Sequence, residues 1–351
     1  MIDRVHFENF KSLQDVTVQL GRLTVLVGAN GCGKSSVLMG ISQLSARVRP
    51  AFSNDGTPRP FTRVLSYRGT ADRVKVSLQT GGATELGVET RFDANGAPTA
   101  QLTQSLGLAS VSLASTTYLH LDASKMSVTS IIETERPRME PDGRGLASAL
   151  AWMKGAAEDE LARLTTDLLQ VVPGVRRIRT FRERVSRRRI EKLDVEGQPV
   201  WRSVDKTEIG DRFAIEFDDG SEIPSNMLSE GTVLALGLLT KLREPERPKL
   251  VLIDDVDRGL HLGAQVSLIK VLRELLRLDP ELQIVCTTHS PYLLDLFAPE
   301  EVRVLALDAE RRTHVRPLTE HPDFDKWKFG TQTGELWAAL GEDWVLAGAS
   351  E

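Results

Sequence analysis

The stretch GANGCGKS, residues 28–35, matches the pattern G-x-x-x-x-G-K-[ST] and decides the fold. It follows LTVLV, residues 23–27, a continuous apolar run typical of a strand that is buried on both faces. A helix is predicted to begin near Lys34. A strand, a glycine-rich turn and a helix in this order can bind phosphate, because backbone N–H groups and the positive end of the helix face the anion. The alternative is a chance glycine-rich turn.

The pattern of this loop predicts roles for its side chains. Lys34 is expected to contact the β- and γ-phosphates of a nucleotide and to act in catalysis, and the Ser35 hydroxyl is expected to bind Mg²⁺. At the variable position Cys32, an inert small residue is favoured over a redox switch. The expected nucleotide contacts in this segment are Asn30, Gly31, Cys32, Gly33, Lys34, Ser35 and Ser36.

The last third of the chain alternates apolar strand patterns with helical ones, which predicts a parallel α/β sheet. One of these strands lies in KLVLIDDV, residues 249–256, and ends in two aspartates. Asp254 is expected to hold Mg²⁺ through its water shell, and Asp255 stands where a general base for the attacking water would be. Taken alone, this string fits any buried strand with a polar end. Together with the phosphate-binding loop it predicts a nucleoside triphosphatase site.

Two further motifs lie at the ends of predicted elements. LSEG, residues 228–231, begins a helix, where Ser229 is either an ordinary N-cap or a phosphate contact together with Glu230 and Gly231. His289 follows the strand LQIVCTT, residues 282–288, at the edge of an α/β sheet where ligands bind. A structural role is the alternative for this histidine.

The order of these motifs resembles that of the ABC ATPases: P-loop, long insert, Ser-x-Gly at a helix start, then an acidic strand end. More narrowly, the chain is similar to the SMC/RecF-like branch and to AAA family ATPases related to the heads of OLD-type proteins. The resemblance implies an α/β fold with a mostly parallel core sheet, an antiparallel β lobe and a helical signature subdomain. The strings that carry it are NFKSL, GANGCGKSS, YLHLDAS, PDGRGLASAL, LSEGT, IDDVDRGLH and TTHSPYLLD.

The resemblance also implies a mechanism. Two protomers would sandwich two ATP molecules with Mg²⁺, and residues 229–231 of one chain would reach the γ-phosphate held by the other. His289 would contact that phosphate, and Lys11 would lie near the nucleotide. The expected partners are a second copy, as a dimer or a higher oligomer of dimers, and a separately encoded effector in antiphage defence. The alternatives are a RecF-like DNA-repair clamp and a nearly non-hydrolysing ATP sensor or scaffold.

Three features depart from the family pattern. Asp255 stands where hydrolytic members have Glu, and a misplacement near 1 Å can cost about 100-fold in rate, so slow hydrolysis is expected. No Q-loop glutamine is evident, although Asp122 is near the expected place. Neither a heptad pattern long enough for a coiled-coil arm nor a recognisable Toprim nuclease domain is present.

The whole chain, residues 1–351, is predicted to form one ABC-type domain. Its core lobe is expected at about 1–95 and 245–320, its inserted lobe at about 96–244, and a Trp-rich tail at about 321–351. Two short strands joined by a turn at Lys11 and Ser12 open the chain. VKVSL, GVETRF and VSLASTTYLHLD are expected to be strands of an antiparallel sheet. WRSV and FAIEF are expected to be two further strands, and residues 145–171 one helix.

Composition limits the partners. The formal net charge is -5, so any contact with DNA or RNA must come from a local patch, such as the arginine-rich residues 176–189. The alternative for that segment is an exposed face balanced by acids. Two distant cysteines and the lack of an apolar leader or spanning run indicate a cytoplasmic protein with no membrane contact. Trp327, Trp337 and Trp344 are expected to pack the tail onto the domain rather than to form an interface.

Overall fold

The computed structural model describes residues 1–48, 73–80, 84–92, 98–104, 115–131, 134–195, 198–327, 330 and 332–347. The chain forms two compact units. The first unit comprises residues 1–119, 248–258 and 265–351, and the second comprises residues 120–247 and 259–264. The expected division into a core lobe, an inserted lobe and a tail stays a prediction.

Among the described residues, α-helices and strands alternate between residues 230 and 307. The strands are β1 (Arg4–Phe10), β2 (Leu13–Gln19), β3 (Leu23–Gly28), β4 (Arg73–Thr80), β5 (Thr84–Phe92), β6 (Pro98–Gln104), β7 (Thr116–Leu119), β8 (Ser130–Ile131), β9 (Val175–Val195), β10 (Gln198–Phe217), β11 (Glu222–Pro224), β12 (Leu250–Ile253), β13 (Gln283–Thr287), β14 (Val302–Leu307) and β15 (Thr313–Pro317). The α-helices are α1 (Lys34–Val48), α2 (Ala123–Met126), α3 (Leu146–Ala156), α4 (Glu158–Val171), α5 (Glu230–Arg243), α6 (Leu262–Leu278), α7 (Pro291–Leu294), α8 (Phe324–Trp327) and α9 (Thr333–Leu340).

The first unit contains a six-stranded sheet in the order β15-β14-β3-β13-β12-β7. Its strands are parallel except β15, which pairs antiparallel with β14. Every residue of β3, β12 and β13 is buried, as their continuous apolar runs predict. Because parallel strands end at the same edge, the residues that follow β3, β12 and β13 meet there.

A second sheet in this unit is antiparallel, in the order β2-β1-β4-β5-β6. The expected pair of opening strands is present, with the turn at Lys11 and Ser12 between them. Phe7 and Phe10 of β1 are fully buried in a core that includes Leu38 and Ile41 of α1. A Cβ at Gly40 would lie 2.4 Å from the Phe7 ring, so glycine at that position lets α1 approach the sheet.

One strand prediction in this unit is wrong. VSLASTTYLHLD was expected in an antiparallel sheet, but its described part, Thr116–Leu119, pairs in parallel with β12. A four-residue strand carries no pattern that tells its partner's direction. Asp122, placed near a Q-loop, is the N-cap of the short α2 in the second unit, where its carboxylate accepts from the Ser124 backbone N–H.

The second unit corrects two further predictions. The single helix expected over residues 145–171 is two helices, α3 and α4, separated at Ala157, which has φ -149° and ψ 54°. Three acidic residues at the start of α4 favour the new N-terminus. WRSV and FAIEF, expected as separate strands, both belong to the twenty-residue β10, which pairs with β9 along its whole length.

Candidate functional site

The glycine-rich loop between β3 and α1 has the backbone that its sequence requires. Gly28, Gly31 and Gly33 have φ values of 145°, 80° and 106°, which other residues rarely adopt. Two of them also lack room for a side chain. A Cβ at Gly28 would lie 2.2 Å from the Leu305 carbonyl oxygen, and one at Gly33 would lie 2.6 Å from Thr313 Oγ1. The loop is therefore fixed by its packing on β14 and β15.

The Lys34 side chain lies beneath this loop and is only 6% exposed. Its ammonium donates to the carbonyl oxygens of Gly28, at 2.7 Å, and Ala29, at 3.0 Å. In the described part of the chain it makes no ion pair with a carboxylate. A cation held only by neutral acceptors can exchange them for a charged phosphate oxygen at little cost.

Cys32 is buried, and its Sγ lies 3.8 Å from Lys34 Nζ. Burial raises the pKa of the thiol, which outweighs the nearby ammonium. The residue is therefore a neutral thiol at neutral pH, which agrees with the expected inert role rather than with redox control.

The carboxylate of Asp254, at the end of β12, accepts hydrogen bonds from three hydroxyl groups. Ser35 Oγ, at the start of α1, lies 3.1 Å from Asp254 Oδ1. Thr287 Oγ1 donates to the same oxygen at 2.8 Å, and Tyr118 OH donates to Oδ2 at 3.1 Å. Burial and the charge of Asp254 raise the pKa of Tyr118 far above its ordinary value, so this hydroxyl stays a donor.

Asp255 has a backbone conformation unusual for a residue with a side chain. Its φ is 52°, a left-handed value that Asp and Asn tolerate better than most residues. Its N–H donates to Thr287 Oγ1 at 2.8 Å, and its half-exposed carboxylate lies 3.8 Å from His289 Nε2. That separation exceeds a hydrogen bond, so the two side chains flank a space rather than bind each other.

Thr313 connects the turn that carries Lys11 to the phosphate-binding loop. Its N–H donates to the Ser12 carbonyl oxygen at 2.8 Å. Its hydroxyl lies 2.9 Å from the Cys32 carbonyl oxygen and 2.8 Å from Ser12 Oγ. If Thr313 donates to Cys32, the Ser12 hydroxyl can donate to Thr313. Burial lowers the pKa of Lys11, which has φ 54° in this turn.

The Ser229 motif lies in the second unit, at the start of α5. Ser229 is exposed and caps the helix, accepting from the Thr232 N–H at 3.2 Å. Gly231 is buried because the backbone of Gly259 lies against it: a Cβ there would be 2.3 Å from the Gly259 oxygen. Glu230 is exposed in the first turn. The expected phosphate-binding role of these three residues stays a prediction.

Sequence reasoning missed four site residues: Tyr118, Thr287, Ser12 and Thr313. Thr287 lies in β13 and Tyr118 lies in β7, the two strands beside β12, so their place could be inferred once the strand order was known. Thr313 carries no sequence signal, because a single threonine after a turn is common. The structure therefore adds the hydroxyl groups that hold the charged residues of the motifs.

The oxygen ligands of this site fit Mg²⁺. Ser35 and Asp254 offer a hydroxyl and a carboxylate, and Mg²⁺ in nucleotide sites takes one or two protein oxygens with phosphate and water as its other ligands. Among the described residues, no group of three or more His, Cys, Asp or Glu could hold a metal without such a co-ligand. No helix of the described chain is long and apolar enough to cross a membrane.

The C-terminal tail has one tryptophan that packs against the first unit. Trp344 is 8% exposed, and its ring meets the His321 ring edge-on at 5.0 Å. Trp337 is half-buried, and the side chain of Trp327 lies outside the described residues. Residues 343–345, which include Trp344, contact β14 and β15, and this agrees with packing of the tail onto the domain.

Comparison with known proteins gives one long match and two short ones. Residues 23–295 match the family model described as "AAA domain, putative AbiEii toxin, Type IV TA system". A stretch of 69 residues is 36% identical to the Septu protein PtuA of Bacillus thuringiensis, covering 20% of this chain and 17% of that protein. A stretch of 61 residues is 36% identical to the OLD nuclease of Thermus scotoductus, covering 17% of this chain and 12% of that protein. The chain thus spans less than a fifth of either relative.

Solved structures that resemble most of the chain include two Smc head domains. The SmcHead bound to the C-winged helix domain of ScpA has a TM-score of 0.56 at 14% identity, covering 90% of this chain and 98% of that one. The Smc head domain with an extended coiled coil, bound to the C-terminal domain of ScpA from Pyrococcus furiosus, has a TM-score of 0.53 at 13% identity, covering 93% and 98%. The predicted SMC-head-like α/β fold is confirmed.

Proposed function

The chain belongs to the AAA domain family described as "putative AbiEii toxin, Type IV TA system", and from that premise we propose that it is an Mg²⁺-dependent ATPase switch. Two copies close around ATP, and the closed state controls a separately encoded effector. The observation that carries the proposal is the hydrogen bond between Ser35 and Asp254, which are 219 positions apart in the sequence. It joins the phosphate-binding loop to an acidic strand end, as Mg²⁺-nucleotide chemistry requires.

Each charged side chain has one task in this proposal. Lys34 exchanges its carbonyl partners for the β- and γ-phosphates, and Ser35 and Asp254 hold Mg²⁺. The metal supplies charge neutralisation on the phosphate oxygens. Asp255 takes the proton of the attacking water as general base, and His289 donates to the γ-phosphate from the opposite side of the same space. Lys11 adds positive charge beside the loop.

The partner copy supplies Ser229, Glu230 and Gly231. The N-terminus of a 14-residue helix carries a partial positive charge and unpaired N–H groups, which suit the γ-phosphate. The exposed Ser229 hydroxyl adds a donor, and the buried Gly231 lets the loop at Gly259 pack against the helix start. Each site is therefore shared between two chains.

A mixing experiment tests the shared site. Lys34→Ala removes the phosphate contact of one protomer, and Ser229→Arg blocks the helix start of the other. Each variant alone is expected to hydrolyse no ATP, whereas an equimolar mixture regains turnover, because the heterodimer keeps one intact composite site. The proposal fails if the mixture stays inactive while the wild type, in saturating ATP, also remains a monomer by light scattering.

The second candidate is an ATP sensor with almost no hydrolysis, and Asp255 favours it. This carboxylate is shorter than Glu by one methylene, and its side chain is about half exposed. Asp255→Glu is expected to raise turnover by extending the base. Asp255→Asn keeps the backbone preference and removes the base, so it serves as the matched control. Tight ATP binding with negligible turnover in all three proteins would favour the sensor.

The proposed setting is antiphage defence. The support is the local similarity to the Septu protein PtuA and to an OLD nuclease, which covers about a fifth of this chain. Affinity purification of the tagged chain, with and without ATP, tests the partner directly. Recovery of the neighbouring gene product only with wild-type protein, and not with Lys34→Ala, is the expected result.

A further inference from the structure

The hairpin of β9 and β10 is longer than the sheet that contains it. The two strands pair from Val175 opposite Phe217 to Val195 opposite Gln198. On the other side of β10, β11 pairs with residues 214–216 and β8 with residues 210–211. Among the described residues no third strand flanks the hairpin beyond Gly210. We call residues 184–195 and 198–209 the distal hairpin; at about 3.4 Å per residue it is about 40 Å long.

The distal hairpin exposes apolar and basic side chains together. Trp201 is 66% exposed and Ile209 is 59% exposed. The register places Arg184 opposite Ile209 and Arg188 opposite Asp205, which puts all four on one face. An isolated two-stranded hairpin is marginally stable in water. Because no described strand flanks this part of the hairpin, the exposed side chains of this face are accessible to a ligand.

Its charge differs from that of the whole chain. Residues 184–195 and 198–209 contain seven Lys and Arg and four Asp and Glu, whereas the full chain has a net charge of -5. At the base of the hairpin, Arg177 and Arg179 are paired with the mostly buried Glu216. These arginines stabilise the sheet and are not available to a ligand.

Arg184 and Arg188 of the distal hairpin are more accessible to a ligand than the arginines at its base. Arg188 pairs with Asp205 at 3.3 Å, but both side chains are about 70% exposed or more, so the pair is weak. Arg184 makes no ion pair with any described residue. Both guanidinium groups can therefore bind a phosphate without breaking a buried contact.

We propose that the distal hairpin binds duplex DNA by lying in its major groove. The major groove of B-DNA, about 12 Å wide, admits a two-stranded β-ribbon. Arg184 and Arg188 contact phosphates at the groove walls, and Ser186 and Thr207, paired on the same face, offer hydroxyl groups between them. The deep, narrow major groove of an RNA duplex does not admit such a ribbon, so the ligand is DNA.

The test compares two duplexes of one sequence. Binding of the full chain to labelled 30-base-pair DNA and RNA duplexes is measured by fluorescence anisotropy from about 50 to 200 mM salt, without nucleotide. DNA is expected to bind at least tenfold more tightly than RNA. Omitting nucleotide makes the result independent of the ATP site, and Lys34→Ala is expected to bind DNA as the wild type does.

A pair of double variants assigns the binding to the hairpin. Arg184→Gln with Arg188→Gln is expected to weaken DNA binding at least tenfold and to lower the slope of log K against log salt by about 1.8, because each lost phosphate contact removes about 0.9. Arg163→Gln with Arg277→Gln changes the net charge equally on two exposed helix faces and is expected to bind as the wild type. Matching thermal melts of the two variants confirm that both are folded.

Three results would overturn the proposal. One is equal affinity for the DNA and RNA duplexes, which indicates attraction by charge alone. Another is equal loss in the two double variants, which places the contact elsewhere. The third is no binding of either duplex at 50 mM salt.

Discussion

The nucleotide site of the first unit and the distal hairpin of the second differ in how they are held. Asp254 is fixed by hydroxyl groups from β7, β13 and α1, which are far apart in the sequence. The distal hairpin is held by its neighbour along the chain and has open faces. Removing one hydrogen bond in the nucleotide site is therefore expected to change ATP turnover. In the hairpin, the effect of a substitution on the free energy of unfolding is expected to depend on how close the residue lies to the core.

The largest expected effect compares two residues of β10 that share a face. Phe213 is fully buried, and Ile209, four positions earlier, is 59% exposed. Phe213→Ala is expected to lower the free energy of unfolding by about 3–5 kcal/mol, because it leaves a cavity in the core. Ile209→Ala should change it by about 0.5 kcal/mol or less. Urea denaturation measures both; a similar loss in both would mean that the distal hairpin is packed.

The next effect separates chemistry from stability at Asp254. Asp254→Asn removes the negative charge but keeps an acceptor oxygen for Ser35 and Thr287, so the free energy of unfolding without nucleotide should change little. ATP turnover should fall at least about 100-fold, because loss of the metal ligand costs several kcal/mol of transition-state stabilisation. Steady-state phosphate release and a melt of the apo protein measure the two. Turnover within about threefold of wild type would exclude Asp254 as a metal ligand.

A smaller effect is expected at Tyr118, which holds the second oxygen of the same carboxylate. Hydrogen bonds to charged groups contribute about 1.5–3 kcal/mol, so Tyr118→Phe should raise the Mg²⁺ concentration needed for half-maximal turnover about tenfold. Tyr292→Phe is the matched control, because that side chain is 70% exposed. An unchanged Mg²⁺ dependence in Tyr118→Phe would show that the hydroxyl does not position Asp254.

The sequence predicted the parts of the fold that local pattern determines. A buried run followed by glycines specified β3 and the loop, and an apolar run before two aspartates specified β12, since each signal lies within ten residues. The predicted direction of β7 was wrong because that direction is set by pairing with β12, whose paired residues lie 134 positions away in the sequence. WRSV and FAIEF, which were predicted as separate strands, form one strand because β10 pairs with β9 along its whole length.

The residues of the candidate site also fall into two groups: those that a local motif predicts and those that only the fold places. Lys34, Ser35 and Asp254 lie within motifs, and the structure places them together. Thr287 and Tyr118 could be found only from the strand order, because their hydroxyl groups have no motif of their own. The roles of Ser229 and His289 stay predictions, since they depend on nucleotide and a second copy. Local pattern thus identifies the charged groups, and packing identifies the neutral ones that orient them.

The smallest effect tests whether a neutral group orients the loop. The Thr313 hydroxyl joins the Cys32 carbonyl oxygen to Ser12 in a space that Gly33 leaves open. Thr313→Val keeps the shape but removes both hydrogen bonds, and one net bond is worth about 1 kcal/mol, so the Kd for ATP should rise about fivefold with little change in kcat. Thr313→Ser keeps the hydroxyl and should restore the wild-type Kd. If Thr313→Val leaves the Kd unchanged and Thr313→Ser raises it, the methyl group rather than the hydroxyl supports the loop, and hydrogen bonding between distant segments does not set nucleotide affinity there.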